Sequence, residues 1–371
     1  MMRLVILVHS LSSGGAERVT SALANYWARQ GWSITIVTIA GQEQDFYSLD
    51  AGVQRVAMGL DHPSASVWHA LLHNFRRVRD LRALIRREQP DVVLGMMSTA
   101  SILVALAARK TGVPVIGSER VHPPALPLGR VWERMRRFAY PRLQAVVAQT
   151  EQSAQWIRDH AGARNVQVIP NPVIYPLESQ EPRVTPPRAE RSLLAVGRLA
   201  PQKGYERLLA AFSELAPDFP EWQLHIVGDG VCRNELEERV LSFGLTDRIR
   251  LPGAVGNVAD WYRSADLFVM TSRFEGFPNT LAEALSYGLP AVSVDCDTGP
   301  RDIIRHEVDG ILVPRDDHRA LVDALACLMA DEGLRKQYGQ RATEAAQRFA
   351  PERVADMWEN LFRQVAANGS K

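Results

Sequence analysis

The stretch LFVMTSRFEGFPNTLAEALSYGLPAVSV, residues 267–294, decides the fold. It opens with four uninterrupted apolar residues, Leu267–Met270, which read as a strand buried on both faces. A polar loop carrying Glu275 follows, and a helical pattern starts near Asn279 or Thr280. Gly288 stops that helix and Pro290 lies just beyond it. A second apolar run, Ala291–Val294, completes the stretch. Strand, loop, helix and strand in this order form a parallel βαβ unit.

The alternation extends outward in both directions. Further apolar runs in the second half are Ser192–Gly197, Gln223–Val227, Ile249–Leu251 and Gly310–Val313. Helical patterns lie near Tyr205–Leu215, Cys232–Phe243, Val258–Ser264 and His318–Met329. The first half repeats the scheme with runs Leu4–Val8, Ile34–Ile39, Val92–Met96, Val113–Ile116 and Ala145–Ala148. Its helical patterns are Ala16–Gln30, Val67–Glu88 and Ser101–Thr111. Between the halves, Asn171–Pro176 and the polar stretch 181–191, with Pro182, Pro186 and Pro187, read as a linker. The predicted fold is α/β, with two doubly wound Rossmann-like domains facing across a cleft. The domains are residues 1–175 and 190–351, and a last helix, about 352–368, is able to pack back on the first. Ligands of such sheets sit at the carboxyl ends of the strands, so the cleft is the expected site.

Composition agrees with a globular protein of two domains. The 371 residues are 46% apolar and 23% charged, which excludes disorder, collagen and coiled coil. The three cysteines, Cys232, Cys296 and Cys327, form no CxxC pair, so a disulfide framework is not expected and a reducing compartment fits. No apolar run approaches the ~18–20 residues of a membrane span. The start, Met1–Val8, reads as a buried strand and not as a secretory signal. A cytoplasmic protein, peripheral at the inner membrane face, is expected. The net charge of +1 hides an asymmetry: residues 1–170 hold 20 Lys and Arg against 12 Asp and Glu, and residues 171–371 hold 23 against 30. Basic and acidic halves point to different partners.

Three loops carry candidate chemistry. In His9–Arg18 a strand ends in a Gly-rich turn, where Gly14 and Gly15 would let backbone N–H groups cradle an anion. It is neither GxGxxG nor a Walker loop, and a bare strand-to-helix turn is the alternative. In Gly197–Gly204, Arg198 and Lys203 could clamp a diphosphate, the alternative being two solvated cations. In Ser272–Ala284, Glu275 and Glu283 suit the paired hydroxyls of a sugar, and the helix start suits phosphate. Alternatively, Glu283 is a first-turn helix charge.

Glu275 and Glu283 have E-x7-E spacing. With EGFPNTLAEALSYGLP, GRLAPQKG, SSGGAER and the run Gly299–Ile304 followed by Asp309–Val313, nearly the whole chain resembles family 4 of the retaining glycosyltransferases of GT-B fold. Within that family it looks closest to the bacterial enzymes of lipid-linked oligosaccharide, O-antigen and exopolysaccharide assembly. The resemblance implies a nucleotide-sugar donor, in particular a UDP-sugar, and a glycan acceptor that is free or linked to a polyprenyl diphosphate. It implies no metal or cofactor. Arg198 and Lys203 would bind the diphosphate, and Glu275 would meet the donor sugar. Gly276, Phe277, Pro278, Asn279, Thr280 and Leu281 would line the donor site, with Glu283 on the ribose. Gly14 and Gly15 would approach the phosphates. Gly228 and Asp229 would lie near the nucleobase, a plain turn being the alternative for Asp229. Glu119 and Arg120 match a family segment on the acceptor or phosphate side. There Val121 replaces an expected Asn, and His122 is shifted, so it takes no base role. An ion pair of Arg120 with Glu119 is the alternative. Rival readings are a sugar-nucleotide 2-epimerase on the same fold, a phosphorylase with a pyridoxal phosphate lysine, and a non-catalytic partner in a polysaccharide assembly.

Two basic stretches complete the reading. Arg76–Arg87 is a basic helix with Leu71, Phe75, Val78 and Ile85 as an apolar stripe. Arg130–Phe138 adds Arg134, Arg136 and Arg137 beside Trp132, Met135 and Phe138. Both suit an anionic membrane or a lipid diphosphate, and both would also serve as amphipathic helices packed on a sheet. Nucleic acid is not expected, because interleaved stacking aromatics and a known module are absent. Asp295-Cys296-Asp297 mimics a metal-binding DxD but belongs to a family strand-to-loop segment. His69 and His73, at i and i+4, lack a third ligand.

Overall fold

Backbone pairing gathers the apolar runs into two separate parallel sheets in the computed structural model, which describes residues 1–12, 14–61 and 67–369. The chain forms two units, residues 1–172 together with the last helix, and residues 173–350.

The first unit holds β1 (Arg3–Val8), α1 (Gly15–Arg29), β2 (Ser33–Thr38), β3 (Val53–Ala57), α2 (Val67–Glu88), β4 (Val92–Met96), α3 (Ser98–Ala107), β5 (Val115–Ser118), α4 (Arg130–Ala139), β6 (Ala145–Ala148), α5 (Glu151–Ala161) and β7 (Val166–Val168). The strand order is β3-β2-β1-β4-β5-β6-β7. Central β4 and β6 are buried throughout, as expected for strands covered by helices on both faces. The edge strands β3 and β7 read VQRVA and VQV; with one side open they need no continuous apolar run, and the sequence pattern misses both.

The second unit holds β8 (Arg191–Val196), α6 (Tyr205–Leu215), β9 (Trp222–Val227), α7 (Arg233–Ser242), β10 (Ile249–Gly253), α8 (Val258–Ser264), β11 (Leu267–Met270), α9 (Asn279–Ser286), β12 (Ala291–Asp295), α10 (Pro300–Ile303), β13 (Gly310–Pro314), α11 (His318–Ala330), α12 (Glu332–Ala342) and α13 (Ala345–Arg348). Its order, β10-β9-β8-β11-β12-β13, repeats that of the first sheet without a counterpart of β7. The Pro-rich stretch expected as a linker is seated on this unit. Val173 joins its core, Gln180 N–H donates to the Gly256 carbonyl (2.9 Å), and the Val184 carbonyl accepts from Trp261 Nε1 (3.1 Å).

The last helix, α14 (Pro351–Gly369), buries Val354, Ala355, Trp358, Leu361, Phe362 and Val365 in the core of the first unit. These positions fall on one helical stripe. Phe362 meets Trp27 of α1 edge-on at 5.3 Å.

Each sheet reverses its winding beside its first strand, between β1 and β4 and between β8 and β11. Crossovers leave in opposite directions there, and the loops at the carboxyl ends part to leave a crevice.

One buried histidine makes the second unit acid-sensitive. His225 of β9 is enclosed, with the Ser192 hydroxyl 2.9 Å from Nδ1 and the Trp261 ring edge-on. Burial, reinforced by the charge of Arg250, lowers its pKa to about 4. The unfolded chain takes up this proton below about pH 6.5, whereas the folded chain excludes it until about pH 4. Stability attributable to residue 225 therefore falls as pH drops through that window, by about 2–3 kcal/mol. Urea midpoints between pH 7 and 4.5 should show a shallower decline for His225→Leu than for the parent chain.

Candidate functional site

The loops flanking the second switch point are tied together by side chain and main chain. The loop after β8 ends in a single 3-10 turn, Pro201–Lys203, and the loop after β11 runs from Thr271 to Pro278. Arg273 N–H donates to the Gln202 carbonyl (2.7 Å), and Gln202 Nε2 returns a bond to the Phe274 carbonyl (2.8 Å). The Thr271 hydroxyl reaches the carbonyls of Lys203 and Gly204, each at 3.1 Å. Gly204 has φ +63°, and a Cβ there would lie 2.4 Å from the Thr271 carbonyl oxygen, so this closure needs glycine.

Across this joint, Lys203 Nζ lies 2.6 Å from Glu275 Oε1. Their side chains are 17% and 9% exposed, so solvent screens the pair poorly. Two neighbours register the enclosed surroundings. Burial pushes the Cys296 thiol up to about 12, with the Glu275 charge adding to the effect. The Tyr205 hydroxyl is driven well above its usual range by the same two causes, burial first. Arg198 stands apart: it is exposed and its side chain has no partner among the described residues, so its fork is open to a ligand.

A third loop, after β9, joins through Leu199 N–H, which donates to the Asp229 carbonyl at 2.9 Å. Gly228 and Asp229 lie there as expected, but the Asp229 carboxylate is engaged. Arg233 holds it at 2.9 Å and Gly230 N–H at 2.7 Å, and these bonds lower its pKa.

On α9, Glu283 sits in the second turn and is buried, accepting from the Tyr262 hydroxyl at 3.1 Å. It is thus not a first-turn surface charge. Pro278 precedes the helix and supplies no side-chain acceptor to its first turn, which Asn279 and Thr280 begin. Phe277 and Leu281 are buried in the unit's core and can offer a ligand only their main chain.

In the first unit, Gly14 precedes α1 and Gly15 opens it; Ser13 lies outside the described residues. The acidic and basic residues expected on the acceptor side are sorted by burial. Arg136 is 1% exposed and cannot face a membrane or acceptor, contrary to expectation. It pairs with buried Glu119 (3.6 Å) and with Glu133 (3.2 Å), and its guanidinium lies over Trp156 (5.4 Å). Glu119 also accepts from the hydroxyls of Ser98 (2.7 Å) and Tyr140. Glu119 therefore pairs with Arg136 and not with Arg120. Arg120 is buried without a carboxylate partner among the described residues; it donates to Asn171 Oδ1 and, at 3.5 Å, to Ser118, and its Nε has no partner. Burial lowers its pKa to about 9.

Arg130, Arg134 and Arg137 face solvent on α4. Beside them the exposed apolar residues are Val131 (65%) and Phe138 (43%), because Trp132 and Met135 turn inward. On α2, Ile85 and Val78 face the core and Phe75 faces out, so the expected stripe divides between two faces. The side chains of His69 and Leu71 lie outside the described residues. Asp295 and Asp297 are held by Arg301 and Arg315, each at 2.9 Å. Among the described residues, no cluster of three His, Cys, Asp or Glu side chains is placed to hold a metal ion.

Sequence reasoning misses Gln202, Thr271 and Tyr262. Gln202 and Thr271 lie within the stretches 197–204 and 267–294, but nothing local marks Tyr262, whose partner is 21 residues away.

Two families match in succession: Glycosyltransferase Family 4 over residues 13–174 and Glycosyl transferases group 1 over residues 178–345. The chain belongs to the family 4 glycosyltransferases and has their GT-B fold. It is 28% identical to the amylovoran biosynthesis glycosyltransferase AmsD of Erwinia amylovora, covering 98% of this chain and 100% of that one. It is 27% identical to a Campylobacter jejuni α-1,4-N-acetyl-D-galactosaminyltransferase whose name specifies a diNAcBac-PP-undecaprenol-linked acceptor, over 98% and 99%. An exopolysaccharide phosphotransferase of Streptomyces coelicolor is 33% identical over 81% of this chain; the match spans only 31% of that protein. Among solved structures, sucrose-phosphate synthase of Thermosynechococcus elongatus superposes with a TM-score of 0.83 at 18% identity, over 99% and 100% of the chains. Anabaena HepE, solved with UDP and glucose, gives 0.77 at 19% identity, over 98% and 100%.

The Arg136 assignment is testable by stability. Arg136→Met leaves Glu119 buried beside an apolar group and should cost about 3–5 kcal/mol in urea unfolding. Adding Glu119→Gln should recover part of that loss.

Proposed function

We propose that this glycosyltransferase is a retaining, metal-independent enzyme that transfers a sugar from a UDP-sugar to a polyprenyl-diphosphate-linked glycan. Its place would be in the assembly of a bacterial surface polysaccharide or related glycan. The observation carrying the reading is the Lys203–Glu275 pair at the switch point with, on the same loop, the exposed Arg198 side chain, which has no partner among the described residues.

The difficult step is cleavage of the anomeric C–O bond, since charge accumulates on the departing diphosphate. Lys203 and Arg198 supply positive potential already in position. An arriving diphosphate competes with Glu275 for the Lys203 ammonium, and Glu275 then accepts from hydroxyls of the donor sugar. Glu283, steadied by Tyr262, takes the ribose hydroxyls. The acceptor hydroxyl bonds to the anomeric carbon on the face the diphosphate leaves. Its proton passes to the leaving phosphate oxygen, so no separate base is required. Metal independence follows from the two cations, and it is supported by the arginines that occupy the Asp295 and Asp297 carboxylates.

The donor class is supported by HepE, which was solved with UDP, and the acceptor class by the name of the Campylobacter relative. Arg120, a buried cation without an acidic partner, suits an acceptor or donor phosphate that would offset its desolvation. No helix among the described residues is long and apolar enough to cross a membrane. Peripheral attachment would instead use Arg130, Val131, Arg134, Arg137 and Phe138 on α4, aided by Phe75 and Arg79 on α2.

Lys203→Ala and Glu275→Ala should each lower transfer at least about 100-fold in a mass-spectrometric assay with UDP-sugars and lipid-linked acceptors. EDTA should leave the parent rate unchanged. Full activity in either variant would remove the site assignment, and donor turnover without acceptor would favour the epimerase. Separately, Arg134→Gln with Arg137→Gln should reduce co-sedimentation with anionic vesicles, and undiminished binding would leave α4 a solvated helix.

A further inference from the structure

Glu275 lies in a loop without regular secondary structure, yet its carboxylate must meet a sugar with sub-ångström precision. The contacts to Lys203 and Gln202 hold this loop from the side of β8. A second support comes from the opposite side, from the turn after β12. Thr298, 1% exposed, donates its hydroxyl to the main-chain carbonyl of Glu275. The next residue, Gly299, has φ +99°, and a Cβ there would lie 2.6 Å from Pro278 Cδ and 3.0 Å from the Gly276 carbonyl oxygen. The turn therefore seats directly against the loop.

A trans peptide points its C=O and the following N–H in opposite directions. Anchoring the Glu275 carbonyl to Thr298 therefore turns the Gly276 N–H away from the unit's core. That N–H has no partner among the described residues. A carboxylate acceptor and a backbone donor from adjacent residues suit one sugar hydroxyl, which can give one hydrogen bond and accept another.

We propose that Thr298 is a positioning residue. Its hydroxyl sets the plane of the Glu275–Gly276 peptide, so that the Glu275 carboxylate and the Gly276 N–H together grip a hydroxyl of the donor sugar. The inference rests on the nucleotide-sugar reading above. It adds a residue that touches no substrate and lies outside the E-x7-E segment.

Thr298→Val keeps the side-chain shape and removes the donor, whereas Thr298→Ser keeps the donor. Transfer by the Val variant should fall about 10- to 100-fold in kcat, with UDP affinity by calorimetry within about twofold of the parent. The Ser variant should recover most of the rate. Loss of UDP affinity in step with turnover, or a Ser variant as slow as Val, would point to general disruption and overturn the proposal. So would unchanged turnover in the Val variant. A ligand-free crystal structure of the Val variant reads the peptide directly: the Glu275 carbonyl should rotate away from residue 298, and an unmoved carbonyl refutes the role of Thr298. Because that measurement needs no donor, it stands even if the parent chain rejects every nucleotide-sugar, an outcome that would count against the donor reading alone.

Discussion

The ion pair of Lys203 with Glu275 joins two loops that the order of the sheet sends apart. At the reversal between β8 and β11, successive crossovers leave toward opposite faces, and nothing in the sheet itself holds their loops together. The pair spans 72 residues of sequence. Around it, Gln202, Thr271 and Arg273 satisfy main-chain groups that would otherwise line the crevice unpaired. Such a pair contributes little net stability, because both ions lose hydration to form it. Its value in the proposed mechanism is placement: a cation and an anion are held 2.6 Å apart, where a diphosphate bearing a sugar would offer each a replacement partner.

The first unit shows the same electrostatics with the opposite outcome. Arg136 and Arg120 are both buried arginines. Arg136 has Glu119, Glu133 and the face of Trp156, so two carboxylates answer its charge. Among the described residues Arg120 has the neutral oxygens of Asn171 and Ser118 and no carboxylate. A buried cation left in this state is costly unless an anion completes it. Burial alone would not separate the two residues; the identity of their partners does.

Much of the fold was legible because strands covered on both faces must be apolar throughout. The central strands and the helices between them can be read directly, and so can the repeat of one pattern in both halves. The edge strands β3 and β7 were not legible, since VQRVA and VQV carry no such signature. Lys203, Glu275 and Glu283 were singled out as candidates from type and spacing, whereas their partners were not. Tyr262 and the turn after β12 reach the site through folding over distances that no local pattern records. The Arg130–Ala139 helix shows the limit most plainly. Arg134, Arg136 and Arg137 look equivalent in sequence, yet one of them is among the most buried side chains in the protein. Only the angle around the helix and an acidic residue 17 positions earlier set it apart.

The last helix belongs to the unit that the chain began. Trp358 and Phe362 complete a core built from α1 and the first sheet, so the second unit is an insertion within the first. During synthesis the ribosome releases the second unit whole, while the first still exposes the groove that α14 fills. The opening sheet therefore waits for its final layer until the whole second unit has been made. Folding order then runs against chain order, with the second unit able to mature first and the first closing only after α14 has followed it.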